Sequence, residues 1–536
     1  IVTLRQIAFL IPEGSDGGSP PPPPSAPATM AVHCKAPGHL ISPYIYGITS
    51  SHLLDTPYKE LGATAGRWGG NTSSRYNWVL GNAWNAGSDW FFRNLNYGQK
   101  TDFSWREELA HSRRAGVPTA LTIPMLGWVA KDATSFSFPV SELGTQDAED
   151  KGAGNGMRDN KPLPSPNPAK TSVSAPPEFV SKWVEAIRAD DAKRGGKSDI
   201  LMYFLDNEPS LWSDTHRDVH PEDLSYDELL DKTVRYASAI RKVAPDALLA
   251  GPSDWGWSAY FYSPVDLKAG HLLRPDRRKH GDVPFLQWYL AQLYAHEKKT
   301  GVKLLDAIDV HFYPQAKGIG IGESGGVDPE TASLRIRSTR SLWDATYIDE
   351  SWIKEAVNLL PTLKGWVKQH YPGLKVSIGE YNWGAEKHIS GGLALAEVLG
   401  RFGEEDIYSA FYWRYPKPQS PAGVAFRLYG NYDGQGARFP SRHVKTTKAK
   451  DVSLFAARDE TSGELVLIAL NLNPSHAVNA SIDLDACSGT SVKRMFAFDA
   501  DSKDLVPVED RASINQSTLF VKLPPASMNV IELEVK

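Results

Sequence analysis

Leu201-Met202-Tyr203-Phe204-Leu205-Asp206-Asn207-Glu208-Pro209-Ser210 passes from five apolar residues straight into three polar ones. The apolar half reads as a strand buried on both faces, as in a parallel sheet. Pro209 has no ladder donor and steers Glu208 away from helix. Glu208 is therefore expected at the carboxyl end of a buried strand, where barrels of alternating strands and helices carry their chemistry. Taken alone, Asn207-Glu208-Pro209 is explained at least as well by a capping or turn carboxylate. A second stretch repeats the design: Val376-Ser377-Ile378-Gly379 leads into Glu380, then Tyr381-Asn382-Trp383. Two strand-end glutamates point to a carboxylate pair of the kind that cleaves glycosidic bonds.

Outward from these two strands, the pattern predicts eight strands, at 44–48, 63–68, 119–124, 200–205, 247–251, 307–312, 375–379 and 408–413. Six helices are readable between or after them, at 103–115, 177–194, 225–243, 284–300, 350–371 and 390–402. The second opens on Pro177, and the third on Ser225 with Glu228 three residues later, a capping box. Strands alternating with helices give an α/β chain, and eight of them give a (β/α)8 TIM barrel. Connections 125–175 and 317–349 are too long for plain turns and are expected to wall a cleft. From about residue 444 the texture changes to six short strands, 452–457, 465–472, 477–484, 492–498, 518–523 and 527–535, a small β-sandwich. The stretch 29–36 has no place in the barrel and is expected to join that sandwich. The division read is 1–28 Pro-rich linker or remnant, 29–42 sandwich strand, 43–440 barrel and 441–536 sandwich. Cys34 and Cys487 then share one domain and are close enough for a bridge, with a chain-entropy gain of about 4–5 kcal/mol at most.

Composition narrows the function. The 536 residues carry 58 basic and 63 acidic side chains, a net charge of −5, which offers no footprint for nucleic acid. No apolar run reaches the length of a membrane span. Sixteen Trp, 21 Tyr and 19 Phe suit a core and also a cleft with flat faces for sugars. Residues 1–12 lack a signal peptide's charged start and cleavage site and read as a remnant of a longer precursor or a cloned fragment. Residues 16–27, with five consecutive prolines, read as a stiff spacer of the kind that tethers secreted modules. The expectation is a secreted monomer.

The strand ends collect Arg67-Trp68-Gly69-Gly70-Asn71, Asn207 and Glu208, His311 with Tyr313 and Gln315, Glu380-Tyr381-Asn382-Trp383, and Trp413-Arg414-Tyr415-Pro416. Together with Leu211-Trp212 after Ser210, Asp309-Val310-His311-Phe312-Tyr313-Pro314-Gln315, and His388-Ile389-Ser390-Gly391-Gly392, these blocks resemble glycoside hydrolase family 44 from about residue 30 to the end. The resemblance implies an endo-acting, retaining enzyme on β-1,4-glucan chains, xyloglucan included. Glu208 takes the acid/base role and Glu380 the nucleophile role. Arg67 and Tyr313 are the donors expected to keep Glu380 ionised, and the charge of Glu380 is expected to raise the pKa of Glu208. Asn207 is assigned to the sugar 2-hydroxyl, and Asn71 to the same site block. No cofactor is implied for catalysis; a structural metal ion is compatible with the family, but no ligand cluster identifies one.

Aromatic residues supply subsites. Trp413 is expected to floor the site, and Trp352 and Trp383 lead a wider set (Trp78, Trp128, Trp212, Trp255, Trp257 and Trp343) for each of which core burial is equally natural. His311 is read either as a sugar contact or as a barrel-rim residue. Asp499-Ala500-Asp501-Ser502-Lys503 lacks the ligands of a calcium loop and reads as a hairpin turn. Asn71-Thr72-Ser73 matches a glycosylation acceptor, but its place in the site block argues against a glycan. The alternatives are a xylan or mannan hydrolase on the same barrel, or a non-catalytic carbohydrate-binding protein, whose mark would be a missing carboxylate.

Overall fold

The computed structural model describes residues 27–534 except 37, 51–52, 98–102, 486 and 488–489; the proline run and everything before it lie outside the described residues. Each apolar run that meets a polar strand end does form a strand: Gly47–Thr49, Ala65–Trp68, Thr119–Ile123, Ile200–Leu205, Leu249–Asp254, Ala307–Phe312, Lys375–Tyr381 and Ser409–Tyr412. They pair in chain order and close into a barrel, all parallel. The first strand is shorter than expected because Ser42 caps and Pro43 opens a 3-10 turn, Pro43–Tyr46, in front of it. Small residues on four strands, Ala65, Ala120, Ala250 and Ala307, leave room inside for Phe204 and Phe411, whose rings meet edge to face at 5.8 Å. The interior is thus filled, and the chemistry is confined to its mouth.

The register places the site. Val310 pairs with Ile378, but His311 pairs with Glu380, so strand seven bulges at Gly379. The bulge turns Glu380 inward beside His311. A Cβ at residue 379 would overlap the Asp309 carboxylate, so only glycine fits.

Helices Trp105–Ala115, Pro177–Lys193, Tyr226–Val243, Phe285–Thr300 and Ile389–Glu404 lie close to their expected positions. Ser225 caps its helix by accepting from Glu228 N–H at 3.2 Å. The helix expected at 350–371 runs only from Leu359 to His370. Pro361 explains the difference, since a proline ring is tolerated only in a helix's first turn. Residues 350–358 are released as a loop, which carries Trp352. Two further helices of ten residues, Pro329–Ser338 and Pro421–Gly430, were not foreseen, nor were several shorter ones. The second has eight buried residues in ten and so shows no polar face to give a helical period. Connection 125–175 also contains short ladders, among them Trp128–Ala130 with Ser172–Ser174.

The second layer is a ladder of ten strands. The six expected strands are present, joined by Arg442–Thr446, Val506–Pro507 and Ala512–Asn515. Ala28–His33 lies between Arg442–Thr446 and Val478–Asp483. Its Met30 and Val32 share a core with Leu454, Leu467, Ile482, Val521 and Ile531. Cys34 and Cys487 are disulfide-bonded with their Cα atoms 5.4 Å apart. Strand Leu465–Asn471 is buried along its whole length. Leu465, Leu467 and Ala469 face the sandwich core, and Val466, Ile468 and Leu470 join the core of the barrel and its helices. Residues 499–503 form the expected turn, with Ser502 Oγ donating to Asp499 at 2.7 Å.

Candidate active site

Glu208 and Glu380 both stand at the carboxyl ends of barrel strands and meet across its mouth. Glu208, His311 and Glu380 each offer a side-chain atom within 4.8 Å of the other two. The environments of the two acids are unequal. Arg67, fully buried, donates from Nη1 to Glu380 Oε1 at 2.6 Å, and Tyr313 OH donates to Oε2 at 2.7 Å. The guanidinium also lies over the Phe204 ring at 5.2 Å, a flat seat that a lysine could not use equally well. Its Nη2 donates to Asn207 Oδ1 at 3.1 Å, and Asn207 Nδ2 donates to Asn71 Oδ1 at 3.0 Å. Asn71 in turn donates to Asp89 at 2.8 Å.

Among the described residues, no arginine is hydrogen-bonded to Glu208. Burial pushes its carboxyl up to about 7; Arg67 opposes the rise and the Asp89 charge adds to it. Glu380 was expected to raise this pKa; the rise comes first from desolvation, with Asp89 the added negative charge. His311 is buried, and burial lowers it to about 4, so it is neutral at ordinary pH. Its Nε2 faces Arg67 Nη2 at 3.5 Å, and a guanidinium can only donate. Nε2 therefore accepts, and Nδ1 carries the proton, which it presents to Glu208 Oε1 at 2.9 Å and Glu380 Oε2 at 3.5 Å. His311 thus lies between the two acids. The same three residues have a spacing that could hold a metal, though the buried Arg67 guanidinium already occupies one face of Glu380 and His311.

Asp206 is the buried anchor of the turn. It accepts from Ser74 Oγ and from the amides of Met125, Leu126 and Asn207. Asp254, also fully buried, accepts from Ser210 Oγ at 2.5 Å and Trp255 N–H at 2.9 Å, and burial pushes it up to about 7. Neither Asp254 nor Asp89 was singled out in the sequence. Each follows a stretch that gives no strand-end signal as clear as Asn-Glu-Pro.

The tryptophans divide sharply. Trp352 is 54% exposed, with Nε1 donating to Gln315 at 3.3 Å, beside Tyr313. Trp413 is half-buried at the end of strand eight, its ring against Gly70, whose φ of +85° and lack of a side chain allow the approach. Trp383 is a correction. It is 1% exposed, packed on Phe312, with Nε1 donating to Ser338 Oγ at 3.1 Å, and it offers no face to a ligand. Trp212 is also in the core. Trp343 lies under two cations, Lys448 at 3.8 Å and Arg401 at 4.1 Å. Trp90, not in the expected set, is 53% exposed beside Asp89.

Two acids this close on a barrel mouth, one clamped by a cation and one pushed toward neutrality, suit chemistry at a sugar's anomeric carbon, and the class so equipped is the glycoside hydrolases. Comparison with known proteins narrows it. Residues 83–316 match the model of glycoside hydrolase family 44. Endoglucanase A of Paenibacillus lautus is 32% identical over 538 residues, covering 94% of this chain and 72% of that protein. The crystal structure of CelM2, a bifunctional glucanase-xylanase from a metagenome library, is 34% identical with a TM-score of 0.88, covering 95% of this chain and 99% of the other. A Paenibacillus polymyxa xyloglucanase of family 44, solved with xyloglucan, is 30% identical with a TM-score of 0.79, covering 95% and 100%. The chain belongs to glycoside hydrolase family 44.

Proposed function

We propose that the protein is an exported endo-β-1,4-glucanase that also cleaves xyloglucan, and that it works by double displacement with retention of configuration. Glu380 attacks the anomeric carbon while Glu208 gives its proton to the departing oxygen. The glycosyl ester that forms on Glu380 removes that negative charge. Glu208, now a carboxylate, takes a proton from water, and the water displaces Glu380 from the sugar. Asn207 holds the 2-hydroxyl of the sugar under attack, and Trp352 and Trp413 supply stacking faces.

One observation carries the reading: the two acids lie within 4.8 Å, while the full clamp of Arg67 and Tyr313 falls on Glu380 alone. Retaining pairs stand about 5–5.5 Å apart and inverting pairs farther, to admit a water. The disulfide supports export, because such bonds persist in oxidising compartments. The name of CelM2 favours xylan as a second substrate to be tested.

The test combines substrates and variants. Reducing sugar is measured on carboxymethylcellulose, xyloglucan, xylan and mannan, with the first two expected to lead. Glu380→Gln should abolish turnover and leave binding intact. Glu208→Ala should lose far less on a substrate with an activated leaving group and regain rate with azide. Equal losses of Glu208→Ala on activated and unactivated substrates would sink the assignment.

A further inference from the structure

The backbone that presents Glu208 is unusual. Asp206, Glu208 and Ser253 have φ values of +70°, +44° and +58°. Left-handed backbone is costly for residues with a side chain, and it persists only where the surroundings over-determine it. Two loops supply that constraint together. Glu208 N–H donates to Ser253 O at 3.0 Å, so the end of strand four is tied to the end of strand five. Asp206 grips the turn from one side, through Ser74 and the amides of Met125 and Leu126. From the other side Ser210, 6% exposed, donates its hydroxyl to Asp254 Oδ2 at 2.5 Å, and Trp255 N–H fills Oδ1. Asp206 is tied chiefly to main chain. The Ser210–Asp254 tie is side chain to side chain, and Ser210→Ala removes it while leaving the Trp255 N–H bond to Asp254 in place.

We propose that Ser210 and Asp254 form a latch that positions the acid/base carboxyl of Glu208 for proton transfer. Both are positioning residues: neither touches the sugar, and they act by fixing where the Glu208 proton is delivered. The inference rests on the acid/base reading of Glu208. Without the latch, the strained turn relaxes toward ordinary φ, and the carboxyl swings away from the leaving oxygen. Arg67, Tyr313 and Glu380 are held by other strands, and Asp206 keeps its own hold on the Asn207 amide, so attack on the anomeric carbon survives where no proton is needed.

The difference between leaving groups reads this directly. A merely structural defect lowers all substrates together, whereas a misplaced acid harms only those whose leaving oxygen must be protonated. The experiment measures kcat/KM, which reports the bond-breaking step, for the full chain on xyloglucan and on 2,4-dinitrophenyl β-cellobioside. Ser210→Ala and Asp254→Asn are expected to lose about tenfold to a hundredfold on xyloglucan, within the span of general-acid contributions and of small misplacements. On the dinitrophenyl substrate the loss should stay below about threefold. Ser210→Thr restores a hydroxyl and should recover most of the rate. Parallel losses on both substrates, or no loss on xyloglucan, overturn the latch; if Asp254→Asn does not fold, Ser210→Ala decides. Glu208→Gln is run beside them. If it discriminates between the substrates and the latch variants do not, the latch alone falls. If Glu208→Gln fails to discriminate, the acid/base reading falls and the latch with it.

Discussion

Replacing Glu208 by glutamine should make the protein more stable, and only above a certain pH. Burial lifts the Glu208 carboxyl from its ordinary 4.5 to about 7. At about 1.36 kcal/mol per unit, the charged form carries a penalty of about 3 kcal/mol in the fold. Below pH 4.5 the group is protonated whether the chain is folded or not, so the acid and the amide differ by a constant. As pH rises past 4.5 the unfolded chain releases its proton first, and the wild type loses stability until the folded carboxyl ionises near 7. Glutamine never ionises, so Glu208→Gln escapes the loss. Asp254 and Asp89 face the same carboxyl, and removing its charge relieves Asp254, which acts in the same direction. For a chain of this size the unfolding entropy is on the order of 1 kcal/mol/K, so the gain in melting temperature is about 3 °C at pH 8 and near zero at pH 4. Calorimetric melts of both proteins from pH 4 to 9 check it. A difference that stays flat across that range refutes the desolvation argument. The same proton sets the alkaline limb of kcat/KM for the wild type on xyloglucan, which should fall above pH about 7.

Trp352→Ala should raise KM on polysaccharide with little change in melting temperature, whereas Trp383→Ala should cost about 3–5 kcal/mol of stability as a large core deletion; titration with xyloglucan oligosaccharides and thermal melts separate the two. Cys34→Ser should lower stability by about 4 kcal/mol, or about 4 °C in melting temperature, without altering kcat on xyloglucan; an unchanged melt would mean that the bridge contributes nothing.

The barrel was legible because each strand announces itself twice, by an apolar run and by the polar residue that ends it. Ile200–Leu205 into Asp206-Asn207-Glu208 is the clearest case. The acids and their donors Arg67 and Tyr313 were legible for the same reason. What hid from the sequence was direction. Trp352 and Trp383 were expected as subsites alike, yet Pro361 frees the segment holding one, while Ser338, on a helix not foreseen, draws the other inward. Asp206 could be seen at a strand end but not as the turn's anchor, because its donors Ser74, Met125 and Leu126 come from two other strand ends. Helix Pro421–Gly430 was missed because a segment covered on all sides carries no amphipathic stripe.

The placement of Ala28–His33 has a consequence for how the molecule is made. Its neighbours, through Val32 to Thr446 and Ala28 to Ala480, are synthesised more than four hundred residues later. At about 5–20 residues per second, the ribosome keeps that segment waiting for about 20–90 s. Throughout the interval its unpaired edge and its apolar Met30 and Val32 stay open to other chains. The earliest described strand to emerge is among the last to be enclosed, so this segment is a point at which the nascent chain is open to aggregation.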